Sequence, residues 1–141
     1  MDDVSSGKTD SHPPLFAQSL EASLTTADVL RSRDWYRDVL GLAVDREFER
    51  EGRVFAVSMR AGNIRLLVTQ DDGSRGADRA KGEGFSLQIT TSQDIDAIAA
   101  HAKRAGATLD NEPFDAWGVR AFRLRDPDGF RFTISSPRQS S

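Results

Sequence analysis

An α+β architecture in which one βαβββ unit occurs twice is the expectation for this 141-residue chain, and three observations carry it. The succession of apolar and polar residues from Leu20 to Gln70 recurs from Phe85 to Ser136. Gly41 and Gly106, which close the two helical patterns, stand 65 residues apart. Between them the chain alternates with the two-residue period of half-buried strands.

In the first unit, over 18–70, Leu20–Thr26 alternates as a strand, and Asp28 or Thr26 supplies an N-cap for a helix running toward Leu40. Gly41 stops it, because glycine accepts a left-handed backbone without a Cβ penalty. Strands follow at Leu42–Arg46, Val54–Arg60 and Ile64–Thr69, with Ala61-Gly62-Asn63 as a tight turn. A linker over 71–84, rich in Gly, Asp, Arg and Lys, leads to the second unit over 85–137. There Phe85–Thr90 alternates and Thr91 or Ser92 offers a cap. Ile95, Ile98, Ala102 and Ala105 form a helical stripe before Gly106. Ala107–Leu109, Arg120–Arg125 and Phe130–Ser135 complete the unit, the last two joined by Asp126-Pro127-Asp128-Gly129. Residues 1–17 read as a disordered leader and 138–141 as a loose tail, both polar and without the apolar run of a signal peptide.

Composition narrows the partners. Hydrophobic residues make up 38% and charged residues 29%, as in soluble globular chains. A formal net charge of −3 gives no basic field for a nucleic acid, and no apolar run is long enough for a membrane span. The absence of cysteine removes disulfides and thiolate chemistry and fits a cytoplasmic setting. A small molecule is the expected partner.

Alternation divides each strand into two faces. Ala22 and Leu24 oppose Glu21, Ser23 and Thr25. Phe85, Leu87 and Ile89 oppose Ser86, Gln88 and Thr90, and Phe130, Phe132 and Ile134 oppose Arg131, Thr133 and Ser135. One face is oily and suits the helices. The other is polar, and in a duplicated unit it suits the lining of a cleft. No phosphate loop, nucleophile elbow or zincin helix is present. His101 stands one place off the helical stripe and His12 lies in the leader, so neither has the setting of a general base. Trp117, before Gly118 in a loop, suits ligand stacking or a subunit contact equally.

The run Asp28 through Ser32-Arg33-Asp34-Trp35-Tyr36-Arg37-Asp38-Val39-Leu40-Gly41 resembles the opening helix of the vicinal-oxygen-chelate superfamily of glyoxalases, bleomycin-resistance proteins and dioxygenases. Trp117-Gly118-Val119-Arg120-Ala121-Phe122 with Asp126-Pro127-Asp128-Gly129 is similar to its closing hairpin, above all in bleomycin-resistance-type members. The resemblance covers residues 18–137. It implies paired βαβββ modules in a U-shaped, partly open mixed sheet barrel, a small-molecule cleft and a homodimer.

In metal-dependent members the resemblance implies His, Glu or Gln ligands on four strands. Here it places Glu21 at the first of those positions, Ser86 at the third and Thr133 at the last. The stretch from Ala61 to Gln70 holds no Asp, Glu or His for the second. One carboxylate with two hydroxyls is a poor metal cage. The expectation is therefore a metal-free, bleomycin-resistance-like binder that sequesters an antibiotic-like compound, with Glu21, Ser23, Ser86, Gln88, Trp117, Arg131 and Thr133 as ligand-binding residues. The alternative is a glyoxalase-like lyase, isomerase or epimerase, or a dioxygenase-type enzyme, using Glu21 as the catalytic residue with or without a divalent metal.

Overall fold

A computed structural model describes residues 13–74, 76 and 81–138. Most of the expected leader, His12 included, and residues 139–141 of the tail lie outside the described residues. The first module comprises β1 (Ala22–Thr26), α1 (Val29–Asp38), β2 (Ala43–Arg50), β3 (Arg53–Ala61) and β4 (Ile64–Gln70). The second comprises β5 (Ser86–Thr90), α2 (Ile95–Arg104), β6 (Leu109–Ala116), β7 (Val119–Arg125) and β8 (Arg131–Pro137). Both modules are βαβββ, as the repeat predicts. Each forms a four-stranded sheet, ordered β1-β4-β3-β2 and β5-β8-β7-β6, with its first strand parallel to its last. The two sheets are separate and do not close into a barrel. Thus β1 and β5 are hydrogen-bonded on one side only.

Helix α1 begins at the expected Asp28 cap, whereas α2 is capped by Asp94 and not by the expected Thr91 or Ser92. The Asp28 carboxylate accepts from the Arg31 amide, and Asp94 accepts from the amides of Asp96 and Ala97. Each cap satisfies donors that the first helical turn leaves unpaired and contributes about 1 kcal/mol. The N-caps stand 66 residues apart, so the internal repeat extends to the capping chemistry.

The hairpin arms correct the sequence reading. Strand β2 reaches Arg50 and β6 spans Leu109–Ala116, where Leu42–Arg46 and Ala107–Leu109 are expected. Six of the eleven missed residues are charged and none is buried, so no apolar alternation marks them. Pro113 also falls inside β6, which an edge strand tolerates because its N–H need not enter a ladder. Two-residue turns close both arms, Glu51-Gly52 between the paired Arg50 and Arg53, and Trp117-Gly118 between the paired Ala116 and Val119. All four turn residues have positive φ, the geometry whose twist matches a hairpin. Trp117 therefore lies at a hairpin tip.

Each helix packs on one face of its own sheet. Leu24, Val57, Met59, Leu66 and Val68 meet α1, while Phe122, Leu124, Phe132 and Ile134 meet α2, forming one contiguous core. Full burial of a side chain of this kind contributes about 1.5–3 kcal/mol.

The modules are joined by a polar latch that the sequence does not reveal. The wholly buried Tyr36 on α1 packs edge-on against Phe132 and donates its hydroxyl to Asp126 at 2.5 Å. From the same turn, Asp128 accepts from the Thr26 hydroxyl at 2.5 Å and from the Ala27 amide at 2.9 Å. Asp126 also accepts from the amides of Asp128 and Phe130, which shape the turn. Burial pushes the Asp126 carboxyl above its ordinary range, against the downward pull of these hydrogen bonds. A second link joins the Nε2 of His101 on α2 to the carbonyl of Asp38 at 2.9 Å. His101 is thus an exposed inter-module tie.

Candidate functional site

Cross-strand register fixes what each sheet presents on the face opposite its helix. In module two, Ser86 lies beside Arg131, Gln88 beside Thr133, and Thr133 in turn beside Arg123. Five of the predicted site residues share such faces: Ser86, Gln88, Arg131 and Thr133 on the second sheet and Ser23 on the first. Ser23 neighbours Leu67, with Thr25 and Thr69 one step further along. Trp117 stands apart at its hairpin tip.

A cavity of about 300 Å³ lies between the modules. Its walls come mainly from the oily faces: Tyr36, Leu40 and Leu66 from module one, and Leu87, Ile89 and Phe132 from module two. Glu21, Arg65 and Gln88 are the polar residues of the lining apart from the Tyr36 hydroxyl, and all three are solvent-exposed. Glu21 forms no hydrogen bond or ion pair among the described residues. A wider groove of about 780 Å³ continues past Leu40, Leu42 and Ile64 to Thr91 and His101. Of the predicted residues, only Glu21 and Gln88 meet at the cavity. Ser23, Ser86, Trp117, Arg131 and Thr133 do not line it.

The family model described as "Glyoxalase/Bleomycin resistance protein/Dioxygenase superfamily" matches residues 18–134. The chain belongs to this superfamily. Among solved structures, TioX from Micromonospora sp. ML1 is 21% identical, with 86% of this chain and 100% of that one aligned at a TM-score of 0.70. A glyoxylase/bleomycin resistance protein/dioxygenase domain from Frankia sp. EAN1pec is 16% identical, covering 90% and 96% at a TM-score of 0.70. A glyoxalase/bleomycin resistance protein/dioxygenase from Nocardioides is 14% identical, covering 91% and 89% at 0.65. No curated protein matches the sequence. At these identities the structures establish a shared fold and no shared activity.

Superfamily members that act on metals need several anionic or imidazole donors converging on one point. Among the described residues, no group of three or more His, Cys, Asp or Glu is placed to hold an ion. The register adds an electrostatic objection, because the position beside Ser86 is the guanidinium-bearing Arg131. Arg65 likewise joins Glu21 in the cavity lining. One carboxylate, with fixed positive charges beside Ser86 and elsewhere in the cavity lining, makes a poor cradle for a divalent cation, so the residues present do not fit one.

Trp117 is 98% exposed with φ 47°. An indole in a left-handed turn position is strained relative to the Asn or Gly that such turns favour, and strain of this kind marks places where a side chain serves an external contact. Sequence reasoning missed the apolar cavity wall altogether. Leu40, Leu87, Ile89 and Phe132 carry an ordinary core signal, and nothing local says that two oily faces meet imperfectly. It also missed a stack of arginine and phenylalanine on the β2–β3 hairpin, for which paired Arg and Phe at alternating positions are the only trace.

Proposed function

We propose that this superfamily member binds a small, largely apolar organic molecule without a metal, in the inter-module cavity, and acts by sequestration. One observation carries the reading: a cavity of about 300 Å³ with mainly apolar walls and three exposed polar side chains, Glu21, Arg65 and Gln88. An apolar pocket with a few convergent polar groups is the ordinary form of a small-molecule site. Binding of this kind requires no nucleophile, base or Lewis acid. An antibiotic-like compound with an uncharged planar body suits the space. Glu21 and Gln88 would orient its polar groups.

The same region supports self-association. Leu20 is 98% exposed and Phe85 47% exposed beside the cavity, and β1 and β5 both present open edges. Exposed apolar residues around an unpaired strand edge favour pairing with another chain. A homodimer through this region would cover the cavity.

Thermal-shift and calorimetric titration with uncharged aromatic compounds, in the presence of a chelator, tests the reading. Saturation at about 100 times Kd stabilises by about 2.7 kcal/mol and raises Tm by several degrees. Ile89→Trp, which fills the cavity, should abolish the shift. Ligand binding that requires a divalent metal and disappears in Glu21→Gln would replace this reading with a glyoxalase-like lyase or isomerase. Sedimentation of the wild type against Leu20→Asp tests the dimer.

A further inference from the structure

A second site stands on the first module, apart from the cavity. The β2–β3 hairpin carries a continuous stack in which the Arg46 guanidinium lies 4.9 Å from the Phe48 ring centroid and that of Arg50 4.4 Å from the Phe55 centroid. The two rings are themselves 6.4 Å apart, inclined at 51°. All four residues are on the sheet face opposite α1. Arg46 pairs in register with Ser58 and Phe48 with Ala56, whereas the neighbouring Val57 and Met59 are core residues. Ala56 is only 4% exposed although no helix covers that face, so its larger neighbours shield it. Its other register neighbour is Thr69 on β4, beside which Leu67 pairs with Ser58.

The charge on this face is unbalanced. Among the described residues, no carboxylate lies within ion-pair distance of Arg46, Arg50, Arg53 or Arg65. The nearby acids are otherwise engaged or directed. Asp45 pairs with Arg60 at 3.0 Å, and Glu47 reaches across the other face to Arg33 at 3.1 Å. Glu49 pairs in register with the core-facing Val54, and Glu51 sits in the turn. A chain with a net charge of −3 thus gathers arginines without ion pairs among the described residues on one face of one strand pair. Stacking on a ring holds a guanidinium flat and leaves its in-plane N–H donors directed outward, the arrangement that receives a carboxylate bidentately. Because the rings already order the side chains, less conformational freedom is lost when an anion arrives.

The geometry points to this face as a recognition site for a small organic anion that carries a planar ring, of the aromatic carboxylate class, with Arg46 and Arg50 meeting the carboxylate and Phe48 and Phe55 meeting the ring. The aromatic half of the stack sets this class apart from inorganic anions, and the small area distinguishes it from an acidic protein surface.

The probe is 1-naphthoate, with 1-naphthamide as its uncharged counterpart, titrated by calorimetry at low salt and again at physiological ionic strength. Naphthoate should bind about tenfold or more tightly than the amide, as a charge-assisted pair does over a neutral one. Its affinity should fall as salt rises. Arg46→Gln with Arg50→Gln, both at exposed positions, should weaken naphthoate by about tenfold or more. Arg120→Gln, which removes a guanidinium already neutralised on the other module, should not. Equal affinity for naphthoate and naphthamide would overturn the proposal, as would unchanged binding by the double variant. Inorganic phosphate competing as well as naphthoate would overturn the part assigned to the rings, and polyglutamate binding more tightly than naphthoate would overturn the small-molecule class.

Discussion

The two hairpins of the modules are built on one plan and differ in how their arginines are paired. Phe48 and Phe114 are 66 residues apart, and Ala56 and Ala121, their register partners, are both buried on the face away from the helices. In module one, Arg46 and Arg50 lie on rings with no carboxylate partner among the described residues. In module two, Arg123 stacks on Phe114, but Arg120 is held by Asp96 at 2.8 Å and Asp115 at 3.0 Å, and Arg125 by Asp110 at 2.9 Å. The backbone repeat fixes where a side chain stands, and the neighbouring residue types decide whether its charge is available. The contrast belongs to the hairpins: the first leaves Arg46, Arg50 and Arg53 without an ion pair among the described residues, whereas the second holds Arg120 and Arg125 in ion pairs.

The asymmetry extends to the packing. Position 57 holds a valine and its counterpart 122 a phenylalanine, both fully buried. Phe122→Ala should therefore cost about 4 kcal/mol, near the middle of the range for a buried aromatic. Val57→Ala loses two methyl groups and should cost about 2 kcal/mol. Urea denaturation of the two variants compares the cores, and equal losses would show that the modules are packed to the same depth.

The latch is one-sided as well. Tyr36 reaches Asp126 from α1, but its counterpart on α2 is Ala102, which has no polar group to return. Asp126→Ala should cost about 3 kcal/mol, because it leaves the buried Tyr36 hydroxyl and two turn amides without their acceptor. Asp126→Asn isolates the charge. Since burial raises the folded-state value above the ordinary 3.8, this group favours folding fully below that value and loses the contribution as pH rises through the raised one. Wild-type stability relative to Asp126→Asn should therefore improve as pH falls from about 7 toward about 4. A difference in Tm that does not change over this window would mean that the carboxyl titrates alike in the folded and unfolded chains.

The hairpin tips give the smallest effect. Glu51 and Trp117 occupy the same strained turn position, but only Trp117 exposes a large apolar surface there. Trp117→Asn should stabilise the isolated chain by up to about 1 kcal/mol, as the turn geometry prefers. The same variant should weaken any complex in which the indole takes part. Thermal melts of the variant, with and without a bound ligand, separate the two effects.

Much of the fold was legible in the chain. Asp28 announced the first helix start, Gly41 and Gly106 both ends, and the alternation in β1, β5 and β8 gave their core faces, whereas the second helix start, at Asp94, lay past the expected Thr91 or Ser92 cap. The superfamily signature rested on the Trp35-Tyr36 helix and the Asp126-Pro127-Asp128-Gly129 turn. The hairpin arms escaped because charged residues stand on both of their faces and so leave no apolar period. Of the candidate site, the face of Ser23, Ser86, Gln88, Arg131 and Thr133 followed from alternation, and the role of Glu21 from the superfamily resemblance.

What the sequence by itself determined is therefore local: two βαβββ modules, their helix ends, the turns at 61–63 and 126–129, and a set of donors too small to suit a metal. Tertiary structure alone decided that Asp126 and Asp128 clasp α1, that two oily faces leave a cavity with Glu21 and Gln88 in its lining, and that Arg46 and Arg50 remain unpaired while Arg120 does not. These outcomes depend on contacts between residues as much as 102 positions apart, as between Thr26 and Asp128. Periodicity reports the direction of a side chain, and only the packed chain reports what it meets.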